Sequence, residues 1–137
     1  MNFNRIFFTA STFALSAATL AAVTPEEYYQ QGCDFYQKGN MVEARKAFEA
    51  SAMGGNAMSQ VCYANFLKKE GKLKDAVKWY EKAAKQNQEA AQCSLGTCYL
   101  YGVGVAQDQE KAIKWLKKAV KNGDLTAEER LKDLGIL

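Results

Sequence analysis

The sequence predicts an all-α protein: three helix-turn-helix repeats stacked in a row and closed by a short C-terminal capping helix. Three observations carry this. Small residues recur at a fixed period, with Gly32, Ala64 and Gly96 spaced by 32, and Ala44, Ala76 and Ala112 spaced by 32 and then 36. Between them apolar residues return every three or four positions, the spacing of one helix face. Glycine or asparagine punctuates the pattern at Gly39, Gly54-Gly55, Gly71, Asn87, Gly102, Gly104 and Gly123. A single hairpin of this kind cannot bury its apolar face, so such periodicity implies a stacked array with atypical ends.

Residues 1–21 differ from the rest. Arg5 supplies a positive start, Ile6 to Leu15 form a short apolar run diluted by Ser and Thr, and Ala18, Ala21 and Ala22 are small cleavage positions. This is the pattern of a secretory signal peptide rather than a membrane anchor. Cleavage is expected after Ala21, within 18–23, leaving no stable membrane span. A repeat domain over 24–137 follows, with repeats at about 25–55, 56–88 and 89–123 and a cap at 126–135.

Thr24-Pro25-Glu26-Glu27 reads as a capping box with proline at the first helical position. The helix it opens should run from Pro25 to about Lys38. Asn40 and Glu43 form a second such box, before a helix that aligns Ala44, Ala47, Phe48 and Ala52. Asn56 caps a third helix holding Tyr63, Ala64 and Leu67, and Gly71 turns the chain. Ala76, Trp79, Tyr80, Ala83 and Ala84 then share one face of the fourth. Leu95, Gly96 and Tyr99 mark the fifth, and Gly102 and Gly104 the corner after it. Asp108 caps the sixth, whose stripe is Ala112, Trp115, Leu116 and Ala119. Its Lys111, Lys114, Lys117, Lys118 and Lys121 read as a solvated face, with Glu110 and Lys114 spaced to pair. Thr126-Ala127-Glu128-Glu129 is a last capping box, opening a short helix with Leu131 and Leu134.

Composition narrows the chemistry. The chain has 137 residues, 48% of them hydrophobic, a formal charge of +3, one proline and no histidine. The apolar content permits a core. The absence of histidine removes His-based triads, His-ligated metals and His acid–base catalysis. A charge this small makes no case for nucleic-acid binding, which needs a concentrated basic face. No cofactor or metal is expected. There is no Cys-x-x-Cys pair, and no Ser-x-x-Lys arrangement surrounds Ser51, Ser59 or Ser94.

The four cysteines, Cys33, Cys62, Cys93 and Cys98, all fall on first helices of hairpins. Cys93 and Cys98 point about 140° apart on one helix. Cys33 is about 20 Å from the third hairpin at ordinary helix spacing, and a bridge needs Cα atoms within about 7 Å. At most one disulfide is therefore expected, Cys62 with Cys33, Cys93 or Cys98. Four unbridged, buried thiols are the plainer alternative.

Leu95-Gly96, Tyr99, Gly102-Val103-Gly104-Val105, Asp108, Lys111-Ala112, Trp115 and Lys118-Ala119 together resemble the Sel-one-like repeat, a relative of the tetratricopeptide repeat. The resemblance implies a right-handed α-solenoid, and the signal-like segment before it makes an exported bacterial member of that family, periplasmic or secreted, the expectation. The resemblance also implies an adaptor or scaffold that holds another protein or peptide on the concave face lined by the first helices. In the tetratricopeptide-like register that face comprises Tyr29, Cys33, Tyr36 and Gln37, then Met58, Val61, Asn65, Lys68 and Lys69, then Ala90, Thr97, Leu100 and Tyr101. Disulfide-rich relatives pair cysteines between first and second helices, whereas Ala83 and Ala119 occupy the second-helix positions here. The alternative implied by those relatives is an enzyme acting on cell-wall or β-lactam substrates.

Overall fold

A computed structural model describes residues 22–137; the signal-like segment lies outside them. Among the described residues there are seven helices and no strand: α1 (Pro25–Gln37), α2 (Met41–Met53), α3 (Ala57–Lys69), α4 (Leu73–Lys85), α5 (Glu89–Tyr101), α6 (Gln109–Lys121) and α7 (Leu125–Asp133). The first six have 13 residues each, about 20 Å of helix. Every extensively packed pair is adjacent in sequence, from α1 with α2 to α6 with α7. This is the one-dimensional order of an all-α solenoid.

The helix starts show how the period is written. Thr24, Asn56, Gln88 and Asp124 are N-caps, and each side chain accepts from the backbone N–H three residues on, at Glu27, Ser59, Ala91 and Ala127. The Thr24–Glu27 capping box forms in full, with Pro25 in the first turn. Three expectations are corrected. Asn40 makes no side-chain cap bond, and Glu43 pairs with Lys46 instead. The last helix starts at Leu125 behind Asp124 rather than at a Thr126 box. The predicted Glu110–Lys114 pair is also not formed; Asp108 instead accepts from the Lys111 N–H and lies 4.0 Å from the Lys111 ammonium.

Helix ends repeat as faithfully. A residue with positive φ follows each helix, and the next N–H reaches back five residues, as in Asn40 to Phe35, Lys72 to Leu67 and Gln88 to Ala83. That bond closes otherwise orphaned carbonyls. Asn87, at φ 62, is the one non-glycine among the described residues to take this conformation, which a short polar side chain tolerates.

Within a hairpin the two helices meet where a side chain is missing. A Cβ on Gly32 would lie 2.7 Å from the Phe48 ring, and one on Gly96 would lie 2.8 Å from Leu116 Cγ. Ala64, the equivalent residue of the middle hairpin, is wholly buried. Successive hairpins are joined by buried glutamines on the same face. Gln60 Nε2 donates to the Ala52 carbonyl and Gln92 Nε2 to the Ala84 carbonyl. Their Oε1 atoms accept from Gln86 and Asn122. Each junction thus satisfies its own buried polar groups, which otherwise would cost about 1–3 kcal/mol apiece. None of the described helices is long and apolar enough to cross a membrane.

Candidate functional site

The first helices of the hairpins, α1, α3 and α5, together with α7, line a groove with two adjoining hollows. The first, about 590 Å³, lies between α1 and α3. Its floor is Cys33, Cys62, Phe48 and Phe66. Phe48 reaches it from α2 because Gly32 leaves its ring room against α1. The two phenylalanine rings stand 6.2 Å apart, and Tyr36 meets Phe66 edge-on at 6.4 Å, an arrangement aromatic pairs favour. The rim is polar: Gln37, Asn65, Lys68 and Lys69.

The second hollow, about 290 Å³, lies between α3, α5 and α7 and is lined by Ser94, Thr97, Asp124, Thr126 and Arg130 among others. Asn65 and Lys68 border both hollows. The buried Tyr80 hydroxyl donates to Asn65 Oδ1 at 2.5 Å, which leaves the amide N–H groups of Asn65 for the groove. Thr97 Oγ1 donates to the Cys93 carbonyl. Lys68 and Lys69 occupy the last turn of α3, where positive charge complements the helix dipole.

Among the residues that the repeat register placed on this face, Cys33, Tyr36, Gln37, Asn65, Lys68 and Lys69 line the first hollow. Ala90 and Thr97 line the second. Tyr29 is half-buried, its ring 6.1 Å from Phe48. Val61 and Leu100 are buried, at 6% and 9% exposure. They sit three and four residues from Ala64 and Gly96, on the close-packed side of their helices. Met58 and Tyr101 are exposed, but neither lines a hollow. Sequence reasoning missed Phe48 and Phe66 as floor residues and Asp124, Thr126 and Arg130 as wall. For the last three the signal was available: Asp124 falls 36 residues after Gln88, so α7 stands in the position of a first helix and turns the same face to the groove.

All four cysteines are free, Cys62 being bridged to none of Cys33, Cys93 and Cys98. Cys93 and Cys98 are buried, each within an apolar cluster. Cys62 shares the first hollow with Cys33, and burial, then the neighbouring thiol, pushes it up to about 11. It is therefore protonated at neutral pH and a poor nucleophile.

Three tyrosines are similarly displaced, chiefly by burial. Tyr29, Tyr63 and Tyr80 are each pushed up to about 12 from an ordinary 10.0. Because the fold favours their protonated forms, the stability they confer is complete below pH 10.0 and is lost as pH rises toward 12. Alkaline titration should show phenolate absorbance from these residues appearing together with loss of helical circular dichroism. Normal titration of all seven tyrosines with the helices intact would contradict their burial.

Residues 69–88 and 89–124 match the Sel1 repeat. The F-box protein At1g70590 of Arabidopsis thaliana is 32% identical over 94 residues, covering 69% of this chain and 26% of that protein. The chain thus spans about a quarter of that relative's length. Among solved structures, a Sel1 repeat protein from Oxalobacter formigenes superposes with a TM-score of 0.70 at 26% identity, over 80% of this chain and 88% of that one. The protective antigen c5321 of uropathogenic Escherichia coli, which displays an SLR fold, gives 0.71 at 28% identity, over 80% of this chain and 26% of that one. Helicobacter pylori cysteine rich protein B shares the fold, with a TM-score of 0.64 at 18% identity over 99% of this chain and 98% of that one. Sel1 repeats generally bind proteins. On the repeat match over residues 69–124 and the shared fold, the chain belongs to the Sel1 repeat family.

Proposed function

We propose that this protein is an exported adaptor that holds a protein or peptide in the groove along α1, α3, α5 and α7. The observation that supports it most directly is the first hollow. An aromatic and thiol floor stays open beneath a rim of amides and lysines, a mixture of apolar anchor sites and side-chain groups able to bond a peptide main chain. Export rests on the composition of residues 1–21 and supports a periplasmic or secreted location.

Two measurements test this reading. A photocrosslinking amino acid placed at Gln37 or Lys69 should capture a defined envelope or secreted protein, whereas the same group at Lys117 or Lys121 of α6 should not. Equal capture from both faces would remove the groove from consideration. Expression of the full chain in a bacterial host should yield a periplasmic product beginning at about Ala22. Retention of residues 1–21 on a cytoplasmic product would defeat export.

A further inference from the structure

Charge on the groove is one-sided. Lys68, Lys69 and Arg130 line it against a single carboxylate, Asp124. The ion pairs among the described residues involve none of these three cations. The Asp124 carboxylate is already engaged, accepting from the Ala127 N–H at 2.7 Å as it caps α7. Arg130 is anchored from the opposite side of the hollow, and its Nε is buried with no hydrogen-bond partner. A buried unsatisfied donor on a charged group is costly, and the simplest relief is an acceptor that arrives from outside.

We infer that the occupant of the groove is an extended acidic segment, with one large apolar side chain in the Phe48–Phe66 hollow and a carboxylate beside Arg130 and Lys68. This rests on the peptide-binding reading above and names its ligand chemistry. The first hollow takes the apolar side chain because its floor is Phe48, Phe66, Cys33 and Cys62. The second takes the carboxylate because Arg130 and Lys68 line it together with Ser94 and Thr126. The Asn65 amide, held by Tyr80, stands between them to bind the main chain. The hollows are one repeat apart, about 10 Å at ordinary helix spacing, which an extended chain covers in about three residues.

Fluorescein-labelled nonapeptides with Leu and Glu three positions apart, in both orders, test this by anisotropy against the full-length mature protein. One order should bind, and replacing its Glu by Gln or Lys should weaken binding by roughly tenfold or more, as expected for a charge-assisted contact. Arg130→Gln and Lys68→Glu should each produce a comparable loss for the Glu peptide while barely affecting the Gln peptide. Lys68 is exposed and in no ion pair, so its variant keeps the test valid should Arg130→Gln unfold, as circular dichroism will show. Equal affinity for Glu, Gln and Lys peptides would overturn the acidic ligand while leaving a peptide-binding groove. No binding by either order, alongside crosslinking at Gln37 to a partner lacking such a segment, would overturn it as well.

Discussion

Leu116→Ala is expected to destabilise the protein by about 3–5 kcal/mol, lowering the melting temperature by about 12–20 °C. Leu116 is wholly buried and sits where α6 meets both α5 and α7, in one cluster with Cys93, Ala119, Ala127 and Leu131. Truncation opens a cavity at the joint between the last hairpin and its cap, amid Cys93, Ala119, Ala127 and Leu131. The loss is a large part of the roughly 5–15 kcal/mol that holds a domain of this size together. A second substitution reports on the geometry. Gly96→Ala should destabilise the wild-type protein, since its new Cβ would stand 2.8 Å from Leu116 Cγ and 3.1 Å from the Ala112 carbonyl. In the Leu116→Ala background the first of these conflicts is gone. Gly96→Ala should then cost much less, its better helix propensity of about 1 kcal/mol offsetting what remains. Urea unfolding of the four proteins measures the coupling. Strict additivity would mean that Gly96 and Leu116 do not touch.

This pair also shows what could be read from the sequence. That Gly96 permits a close approach follows from its place in a helical stripe, and so does the hairpin. The fold was legible because most local signals, from the Thr24 capping box to the Asp108 cap, agree with a period of 32 residues that lengthens to 36 across the third corner. The misreadings arose where a local motif was preferred to the period. Thr126-Ala127-Glu128-Glu129 has the composition of a capping box, yet the repeat places the cap at Asp124, as the structure does. Treating α7 as a terminal capping helix hid Arg130 from the groove.

The site was only partly legible, for a different reason. Helical spacing assigns residues to a face but does not decide which of two neighbouring faces stays open. Asn65 and Val61 differ by one turn, yet Asn65 is exposed and Val61 is 6% exposed. The difference is made by the neighbouring helices, which no spacing within α3 reports. Phe48 was legible as core and is core, at 3% exposure. Its ring edge nevertheless floors the first hollow, because core and site share one wall there.

The third corner holds the second large effect. Gly104→Ala is expected to cost about 2–4 kcal/mol, more than Gly102→Ala, for which about 1–2 kcal/mol is expected. Both glycines take the left-handed conformation, at φ 72 and φ 68, and an alanine is strained at either. They differ in what a side chain would meet. At Gly102 the nearest atom to a new Cβ is Gln107 Cβ at 3.4 Å, an ordinary contact. At Gly104 it is the Leu73 carbonyl oxygen at 2.5 Å, with Val77 Cγ2 at 3.1 Å. The four residues by which the third corner exceeds the others therefore carry a docking contact, pressing the backbone of one hairpin onto the start of α4 in the hairpin before it. Val103 and Val105 beside Gly104 pack on the main core cluster. Displacing the corner would thus loosen the junction between the second and third hairpins, the same junction that sets Asn65 and Lys68 opposite Thr97 and Arg130. Urea unfolding of the two variants separates the effects: equal losses would mean that only backbone strain is felt and that the corner does not bear on Leu73. A greater loss for Gly104→Ala, accompanied by weaker retention of any groove ligand, would tie the length of this corner to the shape of the binding face.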